Sequence, residues 1–220
     1  MASEKELEAL SRPEFWDLRY ATEKGETDEG ADMKSFEWFR DFGKLKSFFE
    51  TWLPAPGGSE VLLHLGCGNS TLTHDLYREG YQHQICVDFS QVVINAMKAK
   101  YAELGQLWLV MDVRKLELAD DTIDVAIDKG TLDAFIHGSL WDPPQDVRTN
   151  VGAYVDEVAR VLKPGGKWLY ITYRQPHFMK PLLERAGKWK LEVHVIEDPD
   201  GAGGFEYFSF IMTKHEHHTF

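Results

Sequence analysis

Cysteine is scarce in this chain, two in 220 residues, too few for a disulfide framework. Cys67 and Cys86 therefore point to a reducing compartment, cytosol or nucleus, with a cytoplasmic location as the default expectation. Long apolar runs are missing as well. Nothing approaches the roughly 20 residues of a membrane span, and residues 1–12 hold no apolar stretch of the signal-peptide kind, so no membrane partner is expected. Positive charge is in deficit: 24 Lys and Arg against 36 Asp and Glu leave a formal net charge of −12. That balance argues against a nucleic-acid backbone as the main partner and favours a basic one. Metal-ligand spacing is absent too. His215, His217 and His218 form a His-rich tail without a Cys or acid cluster, and no metal site is expected. No repeat, linker or low-complexity tract divides the chain. One domain is expected over 1–220, a monomer, with 1–53 as an N-terminal helical cover and 54–220 as the body.

What is present is core material, 43% hydrophobic and 13% aromatic, organised around the stretch from Val61 to Ser70. Val61, Leu62, Leu63 and Leu65 read as a buried parallel strand. Gly66 and Gly68 at its end let the backbone turn and approach a ligand without a Cβ in the way. Asn69 or Ser70 can then cap a helix whose amino end points free N–H groups at that ligand. A dinucleotide fingerprint would place a third glycine where Thr71 stands. Spacing supplies what the loop lacks: Asp88 ends the next apolar segment, 20 residues beyond Gly68, where a carboxylate can accept from ribose hydroxyls.

Strands are expected at 61–65, 84–88, 107–111, 123–128, 167–173, 191–196 and 205–213, and helices at 70–79, 90–103, 130–136, 150–162 and 176–186. The alternation predicts a doubly wound α/β fold with a mostly parallel seven-stranded sheet. The last two strands are joined by the loop 198–204, too short for a crossover, so the last strand is antiparallel. Ahead of the body, 3–24 reads as helix. A second amphipathic helix is expected from Phe36 through Trp52, ended by Pro54-Ala55-Pro56-Gly57-Gly58, with an acidic loop from Gly25 to Gly30 between the two. Trp141-Asp142-Pro143-Pro144 reads as a rigid surface loop.

Leu65-Gly66-Cys67-Gly68-Asn69-Ser70, Asp88, Met111-Asp112-Val113 and Arg160-Val161-Leu162-Lys163-Pro164-Gly165-Gly166 resemble the motifs of class I methyltransferases that use S-adenosylmethionine. More narrowly, Asp128-Lys129-Gly130-Thr131-Leu132-Asp133 resembles a methyltransferase-like family that includes lysine methyltransferases of translation elongation factor 1A. Phe15-Trp16-Asp17-Leu18-Arg19-Tyr20 and Phe36-Glu37-Trp38-Phe39 match that family's opening segments. The resemblance covers nearly the whole chain and implies a Rossmann-like methyltransferase fold with S-adenosyl-L-methionine as cofactor. It implies that Gly66 lets backbone approach the methionine moiety, that Asp88 holds the ribose hydroxyls with Phe89 against the adenine, and that Asp112 and Val113 meet the adenine edge. Lys129 would lie beside the methionine portion. Asp112 can alternatively cap the segment after it, Phe89 and Val113 can simply pack, and Lys129 can be a solvated charge.

Methyl transfer to lysine needs alignment and a neutral amine, since an ammonium has no lone pair. Asp128, Thr131 and Asp133, beside the expected transfer point, are the catalytic candidates; Asp133 can equally be a structural pair. Trp16, Tyr20 and Trp38 are expected to fold over the bound cofactor and complete the enclosure. One departure stands out: His64 replaces the acid that many methyltransferases carry two residues before the first glycine, and is expected to be a satisfied, half-buried residue. The expected function is protein-lysine methylation, elongation factor 1A being the candidate protein substrate. A small-molecule methyltransferase, a non-catalytic cofactor or partner binder and an NAD oxidoreductase are the rivals.

Overall fold

The computed structural model describes residues 3–25, 33–197 and 206–216. Of the expected features, most of the acidic loop, the 198–204 connection, the first residue of the last strand, and His217 and His218 lie outside these residues.

Seven strands form one sheet: β1 (Leu62–Leu65), β2 (Gln84–Asp88), β3 (Leu107–Val110), β4 (Ile123–Lys129), β5 (Leu162–Thr172), β6 (Trp189–Ile196) and β7 (Tyr207–Lys214). Their order is β3-β2-β1-β4-β5-β7-β6. The first five pair in parallel, and β7 runs antiparallel between β5 and β6. The expected doubly wound fold is the one observed. Strand order reverses at β1, flanked by β2 and β4, so a crevice lies beyond the carboxyl end of β1.

Both faces of the sheet are apolar because both are covered. On one face Leu63, Leu65, Ala126, Trp168, Tyr170 and Phe210 pack with α6 (Gln145–Val161) and α7 (Pro176–Leu183). On the other, Leu62, Val125, Ile127, Leu169 and Ile171 pack with α3 (Phe42–Trp52) and α4 (Leu72–Arg78). Cys86 and Trp108 there meet α5 (Gln91–Lys100).

Three expected helices differ in number, start or kind, and the one expected at 150–162 begins five residues earlier, at Gln145. The segment 3–24 is two helices, α1 (Glu4–Ala9) and α2 (Pro13–Gly25). Pro13 has no N–H to continue the first and suits the opening turn of the second. The second amphipathic helix starts at Phe42, not Phe36: Phe39 takes a left-handed φ of 66°, and the Asp41 carboxylate caps α3 by accepting from Lys44 N–H at 3.0 Å. Residues 33–41 are therefore an irregular strap across the carboxyl ends of the strands. The expected helix 130–136 is a single 3-10 turn, Leu132–Phe135. The Asp128 carboxylate accepts from Thr131 N–H (2.7 Å) and Leu132 N–H (3.1 Å), which folds the chain tightly as it leaves β4.

Among the described residues, no helix is long and apolar enough to cross a membrane, and no group of His, Cys, Asp and Glu is placed to hold a metal ion.

Candidate active site

The crevice beyond β1 is roofed by α1, α2 and the strap into a cavity. Its floor is the loop from Leu65 to Ser70. Gly66 and Gly68 have φ of 64° and 52°, a region that excludes most side chains. A Cβ on Gly66 would lie 2.3 Å from the Thr131 hydroxyl, and one on Gly68 3.0 Å from the Tyr20 hydroxyl. These glycines let the end of β4 and the roof close directly on the loop.

At the β2 end, Asp88 lines the cavity and accepts Gly68 N–H (3.0 Å) and Ser90 N–H (2.9 Å). Burial pushes its carboxyl up to about 6, and these two hydrogen bonds oppose that rise. Two donors leave lone pairs on the carboxylate for further hydroxyls. Phe89, Met111 and Val113 add apolar wall on this side. Asp112, between the last two, does not line the cavity. It is paired with Arg114, whose NH2 group lies at 2.6 Å and whose backbone N–H donates at 2.9 Å.

At the β4 end, Lys129, Gly130, Thr131 and Asp133 line the cavity and Asp128 does not. Asp128 is fully buried beneath the turn, where the Tyr154 hydroxyl donates to it at 2.8 Å in addition to the two backbone N–H groups. Burial raises its carboxyl to about 8. Geometry thus gives Asp128 the task of folding the Thr131 loop, away from the expected transfer point. The Thr131 hydroxyl donates to Leu65 C=O at 2.7 Å and ties that loop to the glycines. Asp133 accepts from the Tyr170 hydroxyl (2.8 Å), the Thr172 hydroxyl (2.7 Å) and Arg174 Nε (2.8 Å). Burial still raises its carboxyl, against the pull of Arg174 and the two hydroxyls.

Trp16, Tyr20 and Trp38 all line the cavity from the roof. Trp16 sits 5.9 Å from Tyr20 and 6.1 Å from Trp38, and the Arg19 guanidinium lies over Trp16, Phe36 and Trp38 at 5.2–5.5 Å. Asp17 clasps the far side, accepting from the Ser90 hydroxyl at 2.5 Å. His64 is buried, bonded through Nε2 to Gln84 Oε1 at 2.6 Å, and burial lowers it to about 4, so it is a neutral packing residue.

Residues 63–170 match the family model described as a methyltransferase domain. EEF1A lysine methyltransferase 4 of Mus musculus is 34% identical over 205 residues, covering 91% of this chain and 74% of that protein. The chain belongs to the family of the EEF1A lysine methyltransferases. The eEF1A lysine and N-terminal methyltransferase of Bos taurus is 33% identical over 82% of this chain, and the match takes up 26% of that longer protein. The 1,6-didemethyltoxoflavin-N1-methyltransferase of Burkholderia thailandensis, solved with S-adenosylhomocysteine, shares the fold at 17% identity. Its TM-score is 0.60, with coverage of 98% of this chain and 92% of that one.

The chain is accordingly an S-adenosylmethionine-dependent methyltransferase. The methyltransferase cavity suits that cofactor end by end. Asp88 brings acceptor oxygens into the cavity, Phe89, Met111 and Val113 bring an apolar wall, and the cation Lys129 stands across β1 on the other side. Sequence reasoning missed Glu37, Asp17, Arg19, Tyr173 and Arg174. Glu37, Asp17 and Arg19 stood inside the aromatic segments already singled out, where a charge amid aromatics was the available signal. Glu37 and Asp17 find their partners, Lys129 and Ser90, far away in sequence, and no local spacing reveals such pairs.

Proposed function

We propose that this methyltransferase modifies a lysine amine in a protein, with elongation factor 1A as the candidate substrate. Carrying the reading is the likeness to the murine EEF1A lysine methyltransferase, which extends over 91% of the chain. The general methyltransferase match stops at residues 63–170. The shared span therefore takes in the strap and part of α2, the elements that shape the cavity roof.

The cofactor supplies an electrophilic methyl group on a sulfonium. The chain's residues align, enclose and hold charge. Asp88, with Phe89 and Val113, would orient the nucleoside; Gly66 gives bare backbone at the centre, and Thr131 holds that backbone to the end of β4. Asp112 serves this site from behind, by fixing the turn that presents Met111 and Val113. Asp133 retains one lone-pair position after its three donors and can orient an incoming amine. Trp16, Tyr20 and Trp38 exclude water, which keeps an amine poor in solvation and favours its neutral, nucleophilic form. The acidic surface suits a basic protein partner. The reading places a monomer, working as one domain, in the cytoplasm.

Purified protein with methyl-labelled cofactor and elongation factor 1A is expected to put label into the factor's band, on a lysine. Label confined to the small-molecule fraction of a lysate would overturn the protein-substrate reading. Absence of transfer with cofactor binding intact would favour a non-catalytic binder.

A further inference from the structure

Glu37 projects from the strap onto the glycine loop, and every neighbour it meets there is a donor. Its Oε1 accepts from Thr71 N–H at 2.6 Å and lies 3.2 Å from the Thr71 hydroxyl, which also reaches Asp75 at 2.7 Å. Its Oε2 accepts from the Ser70 hydroxyl and from Lys129 Nζ, both at 2.8 Å. The Ser70 hydroxyl oxygen accepts from Leu72 N–H at 3.1 Å, which leaves its proton for Glu37. A backbone N–H on one oxygen and an ammonium on the other can only donate, so they call for a group that only accepts, which a carboxylate is and an amide is not.

Lys129 is the other half of the arrangement. Its side chain is 7% exposed, and a second of its three protons goes to Trp38 C=O at 2.9 Å. Lys129 and Arg174 are the cations among the cavity residues, and Arg174 is spent on the Asp133 carboxylate and on the carbonyls of Asp133 and Ile136. Among the described residues Lys129 thus meets two acceptors for its three protons, which leaves one for a ligand. With the nucleoside held at Asp88 on the β2 side, the amino-acid end of the cofactor would cross β1 toward β4, the end of the cavity that Lys129 lines.

We propose that Glu37 is a positioning residue of this enzyme: it fixes the Lys129 ammonium against the amino-acid carboxylate of the cofactor and clamps the strap to Ser70 and Thr71 in the same contact. The proposal concerns the cofactor side alone and is independent of which acceptor is methylated.

Two ligands separate it from a merely structural role. S-adenosylhomocysteine carries the amino-acid end, and 5′-methylthioadenosine lacks it while keeping the nucleoside. For Glu37→Gln, whose amide N–H₂ must face a donor, calorimetry should show about tenfold weaker binding of S-adenosylhomocysteine. Binding of 5′-methylthioadenosine should stay within about twofold. Lys129→Met should show the same selective loss, and adding Glu37→Gln to it should cost nothing further, because one residue acts through the other. Equal loss for both ligands would overturn the proposal in favour of a collapsed roof. Unchanged or tighter binding of S-adenosylhomocysteine, or full additivity in the double variant, would also overturn it.

Discussion

Asp88 holds the glycine loop through Gly68 N–H and lines the cavity, where the proposed reading has it present acceptors to the nucleoside. Removing it should therefore cost ligand affinity more than its exposed area suggests. Asp88→Ala strands two backbone N–H groups and the ribose hydroxyls, at about 1–3 kcal/mol for each unmade bond. Calorimetry with S-adenosylhomocysteine should show at least a tenfold loss, and unchanged affinity would remove Asp88 from the site. Asp133 belongs to the opposite end of the cavity. Asp133→Asn keeps the shape but weakens the hold on Arg174, so turnover should fall tenfold or more, a barrier change of about 1.4 kcal/mol. Affinity for S-adenosylhomocysteine should stay within about twofold; matched losses would move Asp133 to the cofactor side. At this scale Asp88 was legible because a twenty-residue interval between a glycine loop and an acid reflects one strand-helix-strand unit. The positions of Asp112 and Asp128 behind the cavity wall were not, because which side of a strand end a carboxylate faces depends on partners such as Arg114 and Tyr154.

At the scale of elements, the roof decides how the cavity opens. The strap is held to the body by polar contacts at several points: Asn69 Nδ2 donates to Lys34 C=O at 2.8 Å, Lys129 to Trp38 C=O at 2.9 Å, and Arg40 to Glu197 C=O at 2.5 Å. Such contacts exchange with water more readily than a continuous apolar core does. Bound S-adenosylhomocysteine, packed against Trp16, Tyr20 and Trp38, should slow tryptic cleavage at Arg19 and Lys34. Equal cleavage rates with and without ligand, at saturating ligand, would show that the roof does not respond to it. The periodic aromatics from Phe36 onward read as helix because spacing at three and four residues is helical by default. They form a strap because Phe39 in the left-handed region breaks the repeat. Its ring packs 5.5–5.6 Å from Tyr173 and Tyr207 and closes on Gly130. That contact pattern lies in tertiary partners more than ninety residues away.

Over the whole molecule, burial of carboxylates sets a pH dependence of unusual sign. The Asp88 carboxyl rises from an ordinary 3.8 to about 6 on folding. Between those values the folded protein holds a proton that the unfolded chain has released. The group's contribution is thus most favourable at low pH and is lost as pH climbs from about 4 through 6. Without ligand, the stability of the wild type relative to Asp88→Asn should fall by about 2 kcal/mol between pH 4.5 and pH 7.5, taking 1.36 kcal/mol per unit. Denaturant titrations at the two pH values check this, and a gap that stays constant would place Asp88 in a wetter site. Asp128, raised to about 8, adds a drift of the same sign at higher pH.

Hydrophobic periodicity, glycine placement and loop lengths determined the seven-stranded sheet, its antiparallel last strand and the glycine loop at the end of β1, because these are local properties of a chain that must bury alternating segments. What only the tertiary structure decided is the roof and its latch. Glu37 meets Lys129 across 92 residues, and Tyr20 comes down on Gly68. Contacts of that kind arise when separate elements are packed over the end of one sheet, and no spacing along the chain encodes which of its many charges and rings will meet there.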